Sequence, residues 1–131
     1  MAKVLVVEDN PANMTLAKFL LQTAGHSVLS ATDAETGIAL ARGEQPDLVL
    51  MDIQLPGMDG LRATALLKDD EATRGIPVIA LTALAMKGDE DRIRAAGCDG
   101  YIAKPLAYKQ FLATIADHLA KTAALKTSAS R

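Results

Sequence analysis

The chain has 131 residues and a formal net charge of −2, enough for one hydrophobic core and too little for a second domain. Half of its residues are hydrophobic, yet no apolar run approaches the roughly 18 residues of a membrane span, and Met1-Ala2-Lys3 leads straight into a strand pattern, so neither a membrane segment nor an export signal is expected. Lys and Arg are scattered and the only aromatics are Tyr101, Tyr108, Phe19 and Phe111; a nucleic-acid surface, which needs clustered cations and stacking rings, is therefore not expected.

Two periods alternate along the chain. Short runs rich in β-branched or aliphatic residues, at Lys3 to Val7, Ser27 to Ala31, Leu48 to Met51, Val78 to Leu81 and Tyr101 to Ala103, read as strands. Helical stripes lie between them: Met14, Ala17, Leu21 and Ala24 before Gly25; Ala34, Ile38 and Ala41 before Gly43; Leu61, Ala65 and Leu66 after the loop Pro56 to Gly60. Pro46 and Pro77 each precede a strand, and Thr32-Asp33 can cap the second helix. Strand and helix alternate five times, which predicts an α/β fold: a doubly wound (βα)5 five-stranded parallel sheet with helices on both faces. Residues 1–121 read as the domain. From Thr122 the periodicity fades, so residues 122–131 read as a fraying helix end and a disordered tail. The lone Cys98 cannot form an internal disulfide and fits a reducing, cytoplasmic setting as a small buried residue.

Four strand ends carry chemistry. Glu8-Asp9 follows the first strand, Asp52 the third, Thr82 the fourth and Lys104-Pro105 the fifth. Each has an ordinary reading alone: Glu8-Asp9 as helix-start residues before Asn10-Pro11, Asp52 as a turn residue, Thr82 as a strand end, Lys104 as a surface cation. In a parallel α/β sheet, however, the carboxyl ends of the strands open into the ligand crevice. Three acids would gather a hard divalent cation there, one would accept a phosphoryl group, and a hydroxyl and an ammonium would grip its oxygens.

Val-Val-Glu-Asp-Asn at Val6 to Asn10, Leu-Met-Asp-Ile-Gln-Leu-Pro-Gly-Met-Asp-Gly at Leu50 to Gly60, Ala-Leu-Thr-Ala at Ala80 to Ala83 and Gly-Tyr-Ile-Ala-Lys-Pro at Gly100 to Pro105 resemble the receiver domain of bacterial two-component response regulators, over roughly Lys3 to Leu119. The stretch Ala85 to Arg92 is similar to that of single-domain cell-cycle regulators in the family; Glu-Asp-Asn-Pro-Ala-Asn and Ala-Gly-Cys-Asp-Gly-Tyr also occur in receivers attached to hybrid histidine kinases.

The resemblance implies a flavodoxin-like, CheY-like sheet of order 2-1-3-4-5. It makes Asp52 the phosphoacceptor, charged by a histidine kinase or histidine phosphotransfer protein. Mg2+ would be held by Glu8, Asp9, Asp52 and the Gln54 backbone carbonyl. Lys104 would pair with a phosphoryl oxygen, oriented by a cis peptide to Pro105, and Thr82, Tyr101 and Pro105 would form the switch. A changed surface on the fourth helix, fifth strand and fifth helix would meet a downstream protein, with the chain a monomer or weak dimer and no enzyme toward a separate substrate. Lys87 to Arg94 is almost wholly charged around Gly88 with Ile93 as its one large apolar anchor, so that helix should move at low cost. Asn13 and Leu16, with Pro105 and Leu106, are candidates for contact with the phosphodonor, although Leu16 also reads as ordinary core.

Two other classes share parts of the pattern. A phosphatase of the haloacid dehalogenase type uses a strand-end Asp, but has a second Asp where this chain has Gln54. A flavodoxin-like carrier would need a phosphate loop after the first strand, where Glu8-Asp9 would repel a flavin phosphate.

Overall fold

The computed structural model describes residues 2–83, 87–104 and 107–129. The strands are β1 (Lys3–Val7), β2 (Ser27–Ala31), β3 (Leu48–Asp52), β4 (Val78–Thr82) and β5 (Gly100–Ala103), and the helices are α1 (Pro11–Thr23), α2 (Ala34–Glu44), α3 (Gly60–Asp69), α4 (Lys87–Ala95) and α5 (Tyr108–Ala129). All neighbouring strands pair in parallel, in the order β2-β1-β3-β4-β5. The fold is the doubly wound sheet that the alternation of periods predicts. After β1 the chain steps outward to β2 and then returns across β1 to β3, so the switch point of the winding lies between the carboxyl ends of β1 and β3.

Strand residues alternate between two apolar layers, as the period of two requires. Val4, Val6, Leu48, Leu50, Ile79 and Leu81 pack with Leu20 and Leu21 of α1 and Phe111 and Ile115 of α5. Leu5, Val7, Val49, Met51, Val78 and Ala80 face the other way, against Ile38 of α2, Leu67 of α3 and Ile93 of α4. Ile93 is fully buried on an otherwise charged helix, the single anchor expected of it.

Helix starts follow local chemistry. Asn10 accepts the Asn13 amide at 3.1 Å with Pro11 in the first turn, Asp33 accepts the Thr36 amide at 2.7 Å, and Asp59 accepts the Arg62 amide at 2.8 Å. Each satisfies an amide that the helix itself leaves unpaired.

Four sequence expectations shift. The buried stripe of α3 is Gly60, Ala63, Thr64 and Leu67, while Ala65 and Leu66 face outward. Small residues let α3 sit close to the sheet, a contact that a search for large apolar side chains passes over. Likewise Ala24 is the exposed cap of α1, and Leu20 packs inward instead. α2 passes through Gly43 to Glu44, and α5 runs beyond Thr122 to Ala129. Ala123, Ala124, Leu125 and Lys126 are strong helix formers, so propensity carries the helix past the point where its apolar pattern fades.

Candidate functional site

Glu8, Asp9 and Asp52 meet at the switch point, each presenting a carboxylate oxygen within 4.8 Å of the others. Glu8 directly follows β1 and Asp52 ends β3, strands paired through Val7 and Met51. Glu8 is 1% and Asp52 3% exposed, whereas Asp9 faces solvent. Lys104, beyond the end of β5, is held by its own amide donating to the Thr82 carbonyl at 2.8 Å. Its ammonium reaches back over the strand ends to lie 2.7 Å from Glu8 Oε1 and 3.1 Å from Asp52 Oδ2. The remaining carboxylate oxygens take main-chain donors: the Gln54 amide donates to Asp52 Oδ1 at 2.9 Å and the Asn10 amide to Glu8 Oε2 at 3.2 Å.

Two carboxylates sharing one buried space cannot both ionise freely. Burial pushes the Glu8 carboxyl up to about 7, the neighbouring Asp52 adds to that, and Lys104 and the Asn10 amide only partly oppose it. Asp52 goes the other way. Burial acts against its charge but is outweighed by the hydrogen bond from Glu8, the Gln54 amide and Lys104, which together hold it below the ordinary carboxylate range. For Lys104, too, burial opposes the charge, and the contacts with Glu8 and Asp52 raise the ammonium above its usual value. The surroundings therefore favour the charged form of Asp52 and disfavour that of Glu8.

A metal ion fits these residues. The donors are all oxygens, the preference of hard divalent cations. Glu8 Oε1 is buried and takes no main-chain donor; the Lys104 ammonium lies beside it at 2.7 Å. A divalent cation entering the cluster would take the place of that ammonium at the oxygen.

Thr82 closes β4 beside this cluster and is fully buried. Tyr101, on β5, is half-buried against the layer that contains Ile93. The Glu90 carboxylate on α4 contacts its hydroxyl and, with some burial, raises the phenol above its usual range, so Tyr101 spans β5 and α4. Pro105 and Leu106 lie outside the described residues. Leu16 is not core: it is 38% exposed on α1 next to Phe19, at 64%. Together with Pro11, Ala12 and Thr15 they line an open apolar groove that starts where Glu8-Asp9 ends. Phe19 carried no functional signal in the sequence, since one aromatic on an apolar helix reads as core.

The family model described as the response regulator receiver domain matches residues 4–116. The chain is a response regulator receiver domain. Among curated relatives, the receiver is 50% identical over 116 residues to the polar-differentiation response regulator DivK of Brucella ovis, covering 88% of this chain and 94% of that one. DivK of Brucella anthropi is 49% identical over the same shares. It is thus the receiver of a DivK-like response regulator, a phosphorylation switch, and the phosphatase and flavodoxin-like alternatives fall away. Of solved structures, the receiver domain of a sensor histidine kinase from Pseudomonas aeruginosa PAO1 superposes with a TM-score of 0.85 at 34% identity, covering 91% of this chain and 98% of that one. That structure is described with a magnesium ion coordinated in its active-site cleft. The chemotaxis response regulator CheY4 of Vibrio cholerae, 26% identical, also superposes at 0.85 over 90% of this receiver and 98% of its own chain. Both likenesses agree with the order read from the strands.

Proposed function

We propose that Asp52 accepts a phosphoryl group from a phosphohistidine on a histidine kinase or phosphotransfer protein, and that the acyl phosphate so formed resets the surface of α4, β5 and α5. The observation that carries this reading is the convergence of Glu8, Asp9 and Asp52 oxygens within 4.8 Å, with Lys104 3.1 Å from Asp52, at the switch point of the sheet.

Asp52, in its charged form, supplies the attacking oxygen: an O–P bond forms, the P–N bond breaks with its electron pair going to the donor nitrogen, and the imidazole, already protonated on its other nitrogen, leaves neutral. Lys104 moves from the Asp52 carboxylate to a phosphoryl oxygen, and the Thr82 hydroxyl takes another. Glu8, Asp9, Asp52 and the Gln54 carbonyl would hold Mg2+, which when bound neutralises charge developing on the phosphoryl oxygens. Movement of Thr82 draws its loop inward and frees Tyr101 to leave Glu90, changing how α4 sits on β5. Among the described side chains of α4, Ile93 alone is buried in the apolar layer, which keeps the cost of that shift low. A groove lined by Tyr101, Ile102, Gln110 and Phe111 lies on the side that would change, where a downstream protein would bind.

The groove of Leu16 and Phe19 supports α1, with Asn13, as the side on which the phosphodonor docks, because α1 is the helix that follows Glu8-Asp9 in the chain. Among the described residues no helix is long and apolar enough to cross a membrane. The proposal is of a cytoplasmic switch, a monomer or weak dimer that assists its own phosphorylation and turns over no separate substrate.

Incubation with Mg2+ and acetyl phosphate, read by intact mass, tests this. One phosphoryl group, stable to acid and labile to alkali and hydroxylamine, is expected on the parent and none on Asp52→Asn. Equal labelling of both would refute the assignment.

A further inference from the structure

Gly60 opens α3 with its backbone lying against the carbonyl group of Asp52. A Cβ here would come within 2.8 Å of both the Asp52 carbonyl carbon and Ile53 Cα, and nearer still to the carbonyl oxygen. Carbon atoms pack at about 3.5 to 4.0 Å, and both sides of this contact are main chain, so no change of rotamer relieves it. The φ of Gly60 is not positive, unlike that of Gly57 in the same loop at 75°. Gly57 has open space around it. The demand at Gly60 is therefore for space and at Gly57 for conformation.

Hydrogen bonds fasten both sides of the contact. The Gly60 amide donates to the Ile53 carbonyl at 3.3 Å, closing the intervening loop on itself, and the Ile53 amide donates to Leu81 of β4 at 3.2 Å. Behind it, the buried Thr64 hydroxyl donates to the Gly60 carbonyl at 2.8 Å. Neither α3 nor the end of β3 can give way without breaking one of these bonds.

We infer that Gly60 is a positioning residue: its missing side chain lets the start of α3 abut the Asp52 main chain and so fixes the Asp52 carboxylate and the Gln54 peptide that faces it. This rests on the reading of Asp52 as phosphoacceptor. Gly60→Ala should push the Asp52 main chain and the first turn of α3 apart.

The test compares Gly60→Ala with Thr73→Val, which removes a buried hydroxyl donating to the Leu67 carbonyl at 2.7 Å at the far end of α3, away from Asp52. Mg2+ affinity by calorimetry, acetyl phosphate labelling rate and urea midpoint would be measured for each. Gly60→Ala should bind Mg2+ at least about tenfold more weakly and label about a hundredfold more slowly, whereas Thr73→Val keeps the parent's affinity even where its midpoint falls as far. A folded Gly60→Ala protein with the parent's affinity, or equal loss of affinity in Thr73→Val, would overturn the inference. Should Gly60→Ala fail to fold, amide and α-proton shifts of the parent decide. Gly60 moving with Ile53 and Gln54 on Mg2+ saturation supports the coupling, and a stationary Gly60 overturns it. Failure of the phosphoacceptor reading would look different: Asp52→Asn would still be labelled while Gly60→Ala still lost Mg2+ affinity.

Discussion

Replacing Lys104 with Met should destabilise the metal-free protein and make its stability depend on Mg2+. The ammonium lies 2.7 Å from Glu8 and 3.1 Å from Asp52, two side chains that are otherwise almost wholly enclosed. Methionine fills similar space without charge. Two ionised carboxylates with oxygens within 4.8 Å of each other then repel by at least about 3.5 kcal/mol at an effective dielectric constant near 20, and removing one partner of a buried ion pair typically costs about 3 to 5 kcal/mol. Glu8, already pushed up to about 7, relieves part of this by holding its proton more firmly. A loss of about 3 kcal/mol near neutral pH is therefore expected in EDTA. A divalent cation replaces the missing charge, and a ligand at a hundred times its dissociation constant adds about 2.7 kcal/mol. Urea unfolding followed by circular dichroism, with EDTA or with saturating Mg2+, measures both. The variant should gain more from Mg2+ than the parent, whose own ammonium competes for the same oxygens. A variant as stable as the parent in EDTA, or an equal gain from Mg2+ in both, would refute the claim that Lys104 is the resident counter-ion of the cluster.

Other expectations concern the switch, the docking side and the pH response. Thr82→Ala should still be phosphorylated but should couple weakly to α4, since one charge-assisted hydrogen bond is worth roughly 1.5 to 3 kcal/mol. Amide shifts of Gly88 to Lys104 on adding beryllofluoride should be smaller than in the parent, and equal shifts would remove Thr82 from the relay. Phe19→Ala should leave the unfolding free energy within about 0.5 kcal/mol of the parent and slow phosphotransfer from a histidine kinase, with labelling by acetyl phosphate unchanged; equal slowing with both donors would contradict a docking role. His26 accepts the Ala2 amide through Nδ1 at 3.1 Å, and burial first, then the positive amino terminus, lowers its pKa below 6.5. Below that value the unfolded chain binds the extra proton more readily, so the His26 contribution is complete above pH 6.5 and is lost as pH falls through the folded value. His26→Asn, which keeps an acceptor without titrating, should flatten this part of the urea-midpoint profile, and an unchanged slope would contradict the assignment.

Strands and strand ends were the legible part of this sequence because both signals are local. A run such as Leu48 to Met51 is too short and too aliphatic for a surface helix, and the residue that ends it falls in the crevice by topology alone. Glu8, Asp9, Asp52 and Lys104 could accordingly be named before their distances were known. Contacts made by small residues were not legible. Gly60 and Ala63 carry little hydrophobic signal, so the apolar pattern points to Leu61, Ala65 and Leu66, of which only Leu61 packs against the core. Phe19 shows the converse. A large apolar residue on an amphipathic helix reads as core, and only the packing of α1 against Val4, Val6 and Phe111 leaves it outside. The Lys104 contact with Glu8 was also hidden, since a sequence offers no sign of which of two nearby carboxylates takes the shorter ion pair.

The central claim is that the phosphoryl group resides on the Asp52 carboxylate. Borohydride reduces an acyl phosphate to the corresponding alcohol and leaves free carboxylates untouched, so a phosphorylated aspartate becomes homoserine. After acetyl phosphate, Mg2+ and borohydride treatment, peptide mass spectrometry should find homoserine at position 52 and aspartate unchanged at positions 9 and 59. Homoserine at another position, or an unmodified Asp52 in protein that carries phosphate, would contradict the account.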